Sequence, residues 1–229
     1  MKIPLFDIDW TILAKDKTRN VHDESFFYAF EKIYGLKNPK VENWEGKIDN
    51  QIILETVLLN GISEQEGRKK LPMAIDIMRE YFALHKDKGV FTALPGTTEI
   101  LQELTDIHDL IGLLTGNVDE IAWGKLEKAG IKQYFQFGTF GNEVFKRPDL
   151  IPLAKKRAEK LLNKDIRQTD LVIIGDTPLD IACAKAGKIE SIGVASSPHY
   201  SFEDLQKAGA DLVISSLEEK EKIIQFLAH

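Results

Sequence analysis

The chain has 229 residues, with 30 basic and 36 acidic side chains and a formal net charge of -6 at pH 7. Its hydrophobic fraction of 43% is ordinary for a globular protein and suffices for one large core, or for a core domain with a small second one. The acidic balance argues against a broad interface with nucleic acid or a membrane surface, because such interfaces are usually basic.

The first predicted element is a strand that ends in two acidic residues. Asp7 and Asp9 stand two residues apart after an apolar run, in the segment PLFDIDWT. Alternate side chains share one face of a strand, so both carboxylates should project from its carboxyl end, where open α/β sheets bind ligands. Two clustered anions need a cation, and oxygen ligands favour Mg2+, which leaves one carboxylate able to attack an electrophile. The structural alternative is an acidic turn.

Helical periodicity replaces strand-like runs after this motif. Asp23 is a predicted N-cap for the first helix, and Gly35 ends it. Ser63 and Glu66 match a capping box, and Pro72 is expected to interrupt the helix that follows. This part of the chain therefore predicts a small helical bundle inserted after the first strand.

One segment of the bundle is predicted to reach the acidic site. The run from Trp44 to Asp49 combines a glycine turn with a cation and an aromatic ring. The alternative is an exposed loop in which Asp49 caps the next helix. The histidines lack the spacing of metal ligands and are predicted to be surface or structural residues: His22, His85, His108, His199 and His229.

A second polar cluster follows a second apolar strand. Thr115, Gly116 and Asn117 come directly after that strand and before a helical pattern. A hydroxyl, backbone N–H groups and a helix N-terminus together suit a phosphate group. The alternative is a turn in which Asn117 is the N-cap.

A pair of cations precedes the predicted helix from Leu150 to Leu162. Lys146 and Arg147 stand next to each other there, followed by Pro148. A cation close to the acidic clusters would neutralise a phosphoryl group and orient a nucleophile. The alternative is a solvated surface pair.

The last motif again places acids at the tip of a strand. A β-branched run delivers Gly175 and Asp176, and Pro178 can begin a helix that carries Asp180 about one turn further. The alternative is that Asp176 only caps this helix.

The alternation of strands and helices predicts an α/β fold with a doubly wound parallel sheet. Residues 1–15 and 91–229 are assigned to this core domain and residues 16–90 to a helical cap, with linkers near residues 13–20 and 86–95. Further strands are expected at residues 110–114, 170–174, 190–195 and 211–214.

Taken in order, D-x-D-x-T, T-G-N, a Lys or Arg, and G-D-x-x-x-D resemble the haloacid dehalogenase superfamily of phosphatases and phosphomutases. The resemblance runs from residue 3 to about residue 215, and the helical insertion after the first motif is similar to phosphoglycolate phosphatase-like members. It implies a Rossmann-like core, with Asp7 as the nucleophile and Asp9 as the general acid/base. It also implies phosphate-binding residues and ligands for Mg2+. The former are Thr115, Gly116, Asn117, Lys146 and Arg147, and the latter are Asp7, Asp9, Asp176 and Asp180.

Two departures from the family pattern matter. Trp10 stands where the family usually has Gly, and it is predicted either to narrow the entrance to the site or to pack as core. Pro148 follows Arg147 rather than Lys146, so the choice between the two cations stays open.

The resulting prediction is a Mg2+-dependent phosphatase that hydrolyses a small phosphorylated metabolite through an aspartyl-phosphate. Alternatives are a sugar phosphomutase on the same scaffold and a non-enzymatic receiver-like module. Asp9 argues against a dehalogenase, and also against a phosphonate hydrolase that would use Lys47 as a Schiff base. A cytoplasmic monomer with a small-molecule phosphomonoester substrate, and with neither nucleic acid nor membrane as partner, is expected.

Overall fold

The computed structural model describes residues 2–15, 20–107 and 110–228. The predicted residues His108 and His229 and part of the first linker lie outside these ranges. The strands are β1 (Ile3–Phe6), β2 (Leu13–Ala14), β3 (Thr92–Ala93), β4 (Gly112–Leu114), β5 (Phe137–Thr139), β6 (Leu171–Gly175), β7 (Glu190–Val194) and β8 (Leu212–Ile214).

The helices of the described residues enclose the sheet and form the predicted bundle. They are α1 (Val21–Tyr34), α2 (Asp49–Leu59), α3 (Glu64–His85), α4 (Thr97–Ile107), α5 (Asp119–Lys128), α6 (Leu150–Leu162), α7 (Pro178–Gly187), α8 (Phe202–Ala208) and α9 (Lys220–Ala228). None of these described helices is both long enough and apolar enough to cross a membrane.

Six strands pair in parallel in the order β5-β4-β1-β6-β7-β8, which confirms the predicted doubly wound sheet. Successive residues of a buried strand face opposite sides. Thus Phe6 and Ile174 pack into one apolar core, whereas Leu5 and Ile173 pack into another on the opposite face. Cys183 is buried in the second of these cores.

The first strand lies at the point of the sheet where the order of the strands reverses. β1 lies between β4 and β6, and the chain order of the strands runs outward from it in both directions. Such a reversal opens a crevice at the carboxyl ends of the strands. The residues that follow β1, β4 and β6 are therefore brought together.

Helices α1 to α3, called the cap from here on, pack around a core of their own. Phe26, Phe30 and Met78 are fully buried there, and Val118 and Ile121 from the edge of the core domain join the same cluster. The short strands β2 and β3 pair antiparallel where the chain leaves the core and returns to it. The predicted domain boundaries stay a prediction.

Two local predictions about the cap helices are wrong. The N-cap of α1 is Asn20 rather than Asp23, because the Asn20 side chain accepts hydrogen bonds from the backbone N–H groups of His22 and Asp23. Helix α3 continues through Pro72. Proline removes one backbone donor, and because Pro72 is exposed, water can solvate the carbonyl that loses its partner.

Candidate active site

The three strand tips bring the predicted acidic residues together. Asp7 follows β1, and its backbone N–H donates to the carbonyl oxygen of Ile174 in β6 at 2.9 Å. This bond extends the pairing of the two strands beyond their assigned ends and sets Asp7 beside Asp176. Asp180 approaches from the first turn of α7.

Three carboxylates form one buried cluster at this point. An oxygen atom of each of Asp7, Asp176 and Asp180 lies within 4.8 Å of those of the other two. Burial raises the pKa of Asp7 to about 6, although Arg147 opposes this increase, and burial together with the charges of Asp180 and Asp7 raises the pKa of Asp176 well above its usual range. These three carboxylates carry more negative charge than Arg147 alone can neutralise. Their oxygen atoms are suitable ligands for a hard divalent cation such as Mg2+.

Asp180 already has partners within the protein. Its Oδ2 atom accepts from the hydroxyl of Thr177 at 2.7 Å and from the Thr177 backbone N–H at 3.1 Å, which closes a capping box at the start of α7. Thr177, and not Asp176, is therefore the N-cap of this helix. Direct metal ligation by Asp180 would compete with these bonds, whereas ligation through water would not.

The structure brings Arg147, and not Lys146, to the carboxylates. The Nη2 atom of Arg147 lies 3.1 Å from Asp7 Oδ2 and 2.5 Å from Asp180 Oδ1. Its Nη1 atom donates to the carbonyl oxygen of Gly46 at 2.9 Å. Burial by itself would lower the pKa of Arg147, but the two carboxylates raise it, so the guanidinium stays charged. Lys146 is exposed.

The Thr115–Asn117 turn does not offer a free helix N-terminus. Thr115 is fully buried, and its Oγ1 atom accepts from the backbone N–H and the side-chain amide of Asn117, at 3.3 and 2.9 Å. Gly116 and Asn117 line the space beside Asp7, whereas Thr115 does not. The first donors of α5 are already used, because Val118 N–H donates to Asp49 and Asp119 N–H donates to Asn142. The N-cap is Val118, not Asn117.

Asp9 stands apart from the carboxylate cluster. Its two oxygens lie 2.8 and 2.7 Å from the ammonium nitrogen of Lys125, and its Oδ2 also accepts from the side-chain amide of Asn117 at 3.0 Å. Burial alone would raise the pKa of Asp9, but the surrounding basic side chains, of which Lys125 has the largest effect, together hold the pKa below its ordinary range. The side chain predicted as a fourth metal ligand is thus held by a cation of the protein.

Sequence reasoning missed Lys125, and for His22 it left open whether the side chain lies on the surface or has a structural place. Lys125 lies in α5 one turn after the buried Ile121, on the apolar face of the helix. A lysine on such a face could have indicated a buried cation with an acidic partner. His22 is not on the surface: it is buried, and its Nε2 atom lies 2.8 Å from Asp49 Oδ2.

The loop from Trp44 to Asp49 does lie on the site. Gly46 has a φ of 71°, and a Cβ atom there would come within 2.8 Å of the Thr177 hydroxyl oxygen. A Cβ on Gly116 would come within 2.3 Å of the Lys47 carbonyl oxygen, so two glycines permit this close approach. The N-cap of α2 is Ile48, and Asp49 binds across to the core instead.

A small cavity lies between the cap and the strand tips. Its volume is about 60 Å³, room for only a few water molecules. Asp7, Asp9 and Arg147 line it from the core, and Phe26 and Trp44 from the cap.

Trp10 has an uncommon backbone conformation. Its φ of 59° lies in the left-handed region, where glycine is favoured, and its carbonyl oxygen accepts from the hydroxyl of Ser196. The side chain is half-buried, and neither the cavity lining nor the apolar cores among the described residues include it. This geometry accounts for the glycine that the resembled family usually has here.

An α/β sheet with acids at the tips of its central strands, a nearby buried arginine and a helical cap defines a class of capped hydrolases. A family model for haloacid dehalogenase-like hydrolases matches residues 4–194. The chain therefore belongs to the haloacid dehalogenase-like hydrolase family, and the predicted resemblance is confirmed.

Solved structures share the fold over nearly the whole chain. A predicted phosphatase from Clostridium acetobutylicum matches at a TM-score of 0.67 and 24% identity, covering 98% of each chain. A predicted phosphoglycolate phosphatase from Haemophilus somnus 129pt matches at 0.66 and 16%, also covering 98% of each. A putative beta-phosphoglucomutase from Thermotoga maritima matches at 0.57 and 19%, covering 99% of each. No curated protein matches the sequence.

Proposed function

We propose that this hydrolase is a Mg2+-dependent phosphatase that cleaves a compact phosphomonoester through an aspartyl-phosphate on Asp7. The observation that carries this proposal is the buried cluster of Asp7, Asp176 and Asp180 with the Arg147 guanidinium 3.1 Å from Asp7. This arrangement offers one carboxylate as a nucleophile, two more that can hold a metal ion, and a fixed guanidinium. It suits phosphoryl transfer, because the negative charge of the phosphoryl oxygens must be neutralised in the transition state.

In the first step, a carboxylate oxygen of Asp7 attacks phosphorus and the bond to the leaving oxygen breaks. The electron pair of that bond goes to the leaving oxygen, which takes a proton from Asp9. Arg147 stabilises the charge on the phosphoryl oxygens. Asp7, Asp176 and Asp180 would hold a divalent cation, which would supply further neutralisation of that charge.

In the second step, water attacks the aspartyl-phosphate and gives a proton to Asp9. The bond between phosphorus and Asp7 breaks, and its electron pair returns to the Asp7 carboxylate. The products are inorganic phosphate and an alcohol, and both aspartates are restored. The depressed pKa of Asp9 favours the ionised form, which accepts the proton in this step, and works against the protonated form that the first step requires. The geometry therefore supports the role of Asp9 in the second step more directly than its role in the first.

Two features support a compact substrate. The cavity between the cap and the core is small, at about 60 Å³, and the cap loop contacts Thr177 and Gly116 of the core directly. The names of the similar structures include phosphatases and a phosphoglucomutase, so transfer of the phosphoryl group back to substrate is the alternative outcome.

Membership of a hydrolase family argues against the receiver-like module. A monomer acting in the cytoplasm stays a prediction.

The test is a screen of phosphorylated metabolites with Mg2+ present, measuring both released phosphate and isomerised substrate. Asp7→Asn should abolish release, and Asp170→Asn, which alters an exposed ion pair with Arg167, should not. Release of phosphate that survives exhaustive chelation, or formation of only an isomer, would contradict the proposal.

A further inference from the structure

Lys125 is a buried cation whose bonding capacity is fully used beside the proposed acid/base. Its side chain is 3% exposed and lies 2.7 and 2.8 Å from the two oxygens of Asp9. Its other neighbours are Asn117 Oδ1 at 2.6 Å and His22 Nδ1 at 3.1 Å. An ammonium group has three N–H donors, and these three residues use all of them. Lys125 therefore cannot turn away from Asp9 without losing several bonds.

The same contacts fix the orientation of Asp9. Oδ2 accepts from both Lys125 and Asn117, and Oδ1 accepts from Lys125. A carboxylate held through both oxygens cannot rotate about its last bond. Because Asp9 also lines the cavity and its side chain is 27% exposed, the fixed carboxylate still faces the space where a substrate would bind.

The cap supplies one of the three partners of Lys125. His22 belongs to α1, and since its Nδ1 accepts from Lys125, its Nε2 carries the ring hydrogen and donates to Asp49 at 2.8 Å. Asp49 belongs to α2 and also accepts from the backbone N–H of Val118 in the core. A chain of bonds therefore runs from two cap helices through Lys125 to Asp9.

We propose that Lys125 is a positioning residue that holds the Asp9 carboxylate toward the cavity, and that His22 makes this hold depend on the docked cap. The inference rests on the proposed function. It concerns the second step most directly, because there Asp9 must receive the proton of the attacking water while the bond between phosphorus and Asp7 breaks.

Acetyl phosphate separates the two steps in one experiment. Its leaving acetate needs no proton, so phosphorylation of Asp7 does not require Asp9, whereas breakdown of the aspartyl-phosphate does. Lys125→Met should slow breakdown about 10-fold or more, measured by rapid quench, while kcat/KM, which reports phosphorylation, changes less than about threefold. The matched control is Lys128→Met on the same helix, which removes only an exposed pair with Asp87 and should leave both values unchanged.

A second variant guards against a loss of folding in Lys125→Met. His22→Phe retains an aromatic ring stacked on Phe26, 5.1 Å away, but removes the acceptor for Lys125, and it should slow the same step. Unchanged breakdown in folded Lys125→Met, or equal falls in breakdown and kcat/KM, would overturn the role of Lys125. A wild-type protein inert toward acetyl phosphate and every metabolite would instead refute the proposed function itself.

Discussion

Arg147→Met is the change that most clearly separates the two adjacent cations of the third motif. Arg147 is buried and contacts Asp7, Asp180 and Gly46, so methionine leaves two buried carboxylates without their cation. Removing one partner of a buried ion pair costs about 3 to 5 kcal/mol. For a chain of this length that corresponds to a fall in Tm of roughly 6 to 20 °C.

The expected loss of activity has a separate cause from the loss of stability. A donor that stabilises developing charge on the transferring group is worth about 10²- to 10³-fold in kcat. Lys146→Met is the matched control, because Lys146 is exposed and its loss should change stability by less than about 0.5 kcal/mol. Arg147→Lys should be intermediate, since one ammonium nitrogen cannot reproduce the separate bonds of the guanidinium.

Phosphate release under Mg2+ and differential scanning calorimetry measure the two effects on the same preparations. If Lys146→Met slows turnover as much as Arg147→Met, or if Arg147→Met retains activity within about threefold of wild type, the assignment of Arg147 is refuted.

Two further predictions concern backbone strain and pH. Trp10→Gly should be more stable than Trp10→Ala by about 1 kcal/mol in urea unfolding, because only glycine is unstrained at a φ of 59°, and equal stabilities would contradict this. The pKa of Asp7, raised by burial to about 6 from 3.8, means that the folded protein binds this proton more tightly than the unfolded chain. This group therefore stabilises the metal-free fold by about 3 kcal/mol below pH 4, and that contribution is lost as the pH rises through 6. Tm measured with and without Mg2+ should accordingly show a larger metal-induced increase at pH 7.5 than at pH 5, and an increase independent of pH would contradict it.

The position of Asp7, Thr115 and Asp176 at one edge of the sheet could be predicted from sequence for a physical reason. Each follows a buried apolar strand, and parallel strands place their carboxyl ends at one edge of the sheet. The helical pattern between the first two strands likewise predicted the cap, and a glycine turn predicted the loop around Gly46.

The remaining features depend on contacts that local sequence does not encode. Lys146 and Arg147 are adjacent, and a short helical turn begins at Arg147. The backbone direction at the start of this turn decides which of the two side chains points inward. The ion pair of Asp9 with Lys125 joins side chains that are 116 residues apart in the sequence. No sequence motif links the two positions, so the pair could not be predicted. The helix N-terminus expected to bind phosphate was unavailable because Asp49, from the cap, occupies its first amide.

In the proposed mechanism, Asp7 carries the phosphoryl group during turnover. Wild-type enzyme mixed with acetyl phosphate and Mg2+, quenched rapidly in acid and digested, should yield one phosphorylated peptide that contains Asp7, and Asp7→Asn should yield none. A wild-type enzyme that releases phosphate without phosphorylation of that peptide at any quench time, or an Asp7→Asn variant that retains a substantial share of the wild-type rate, would contradict the account.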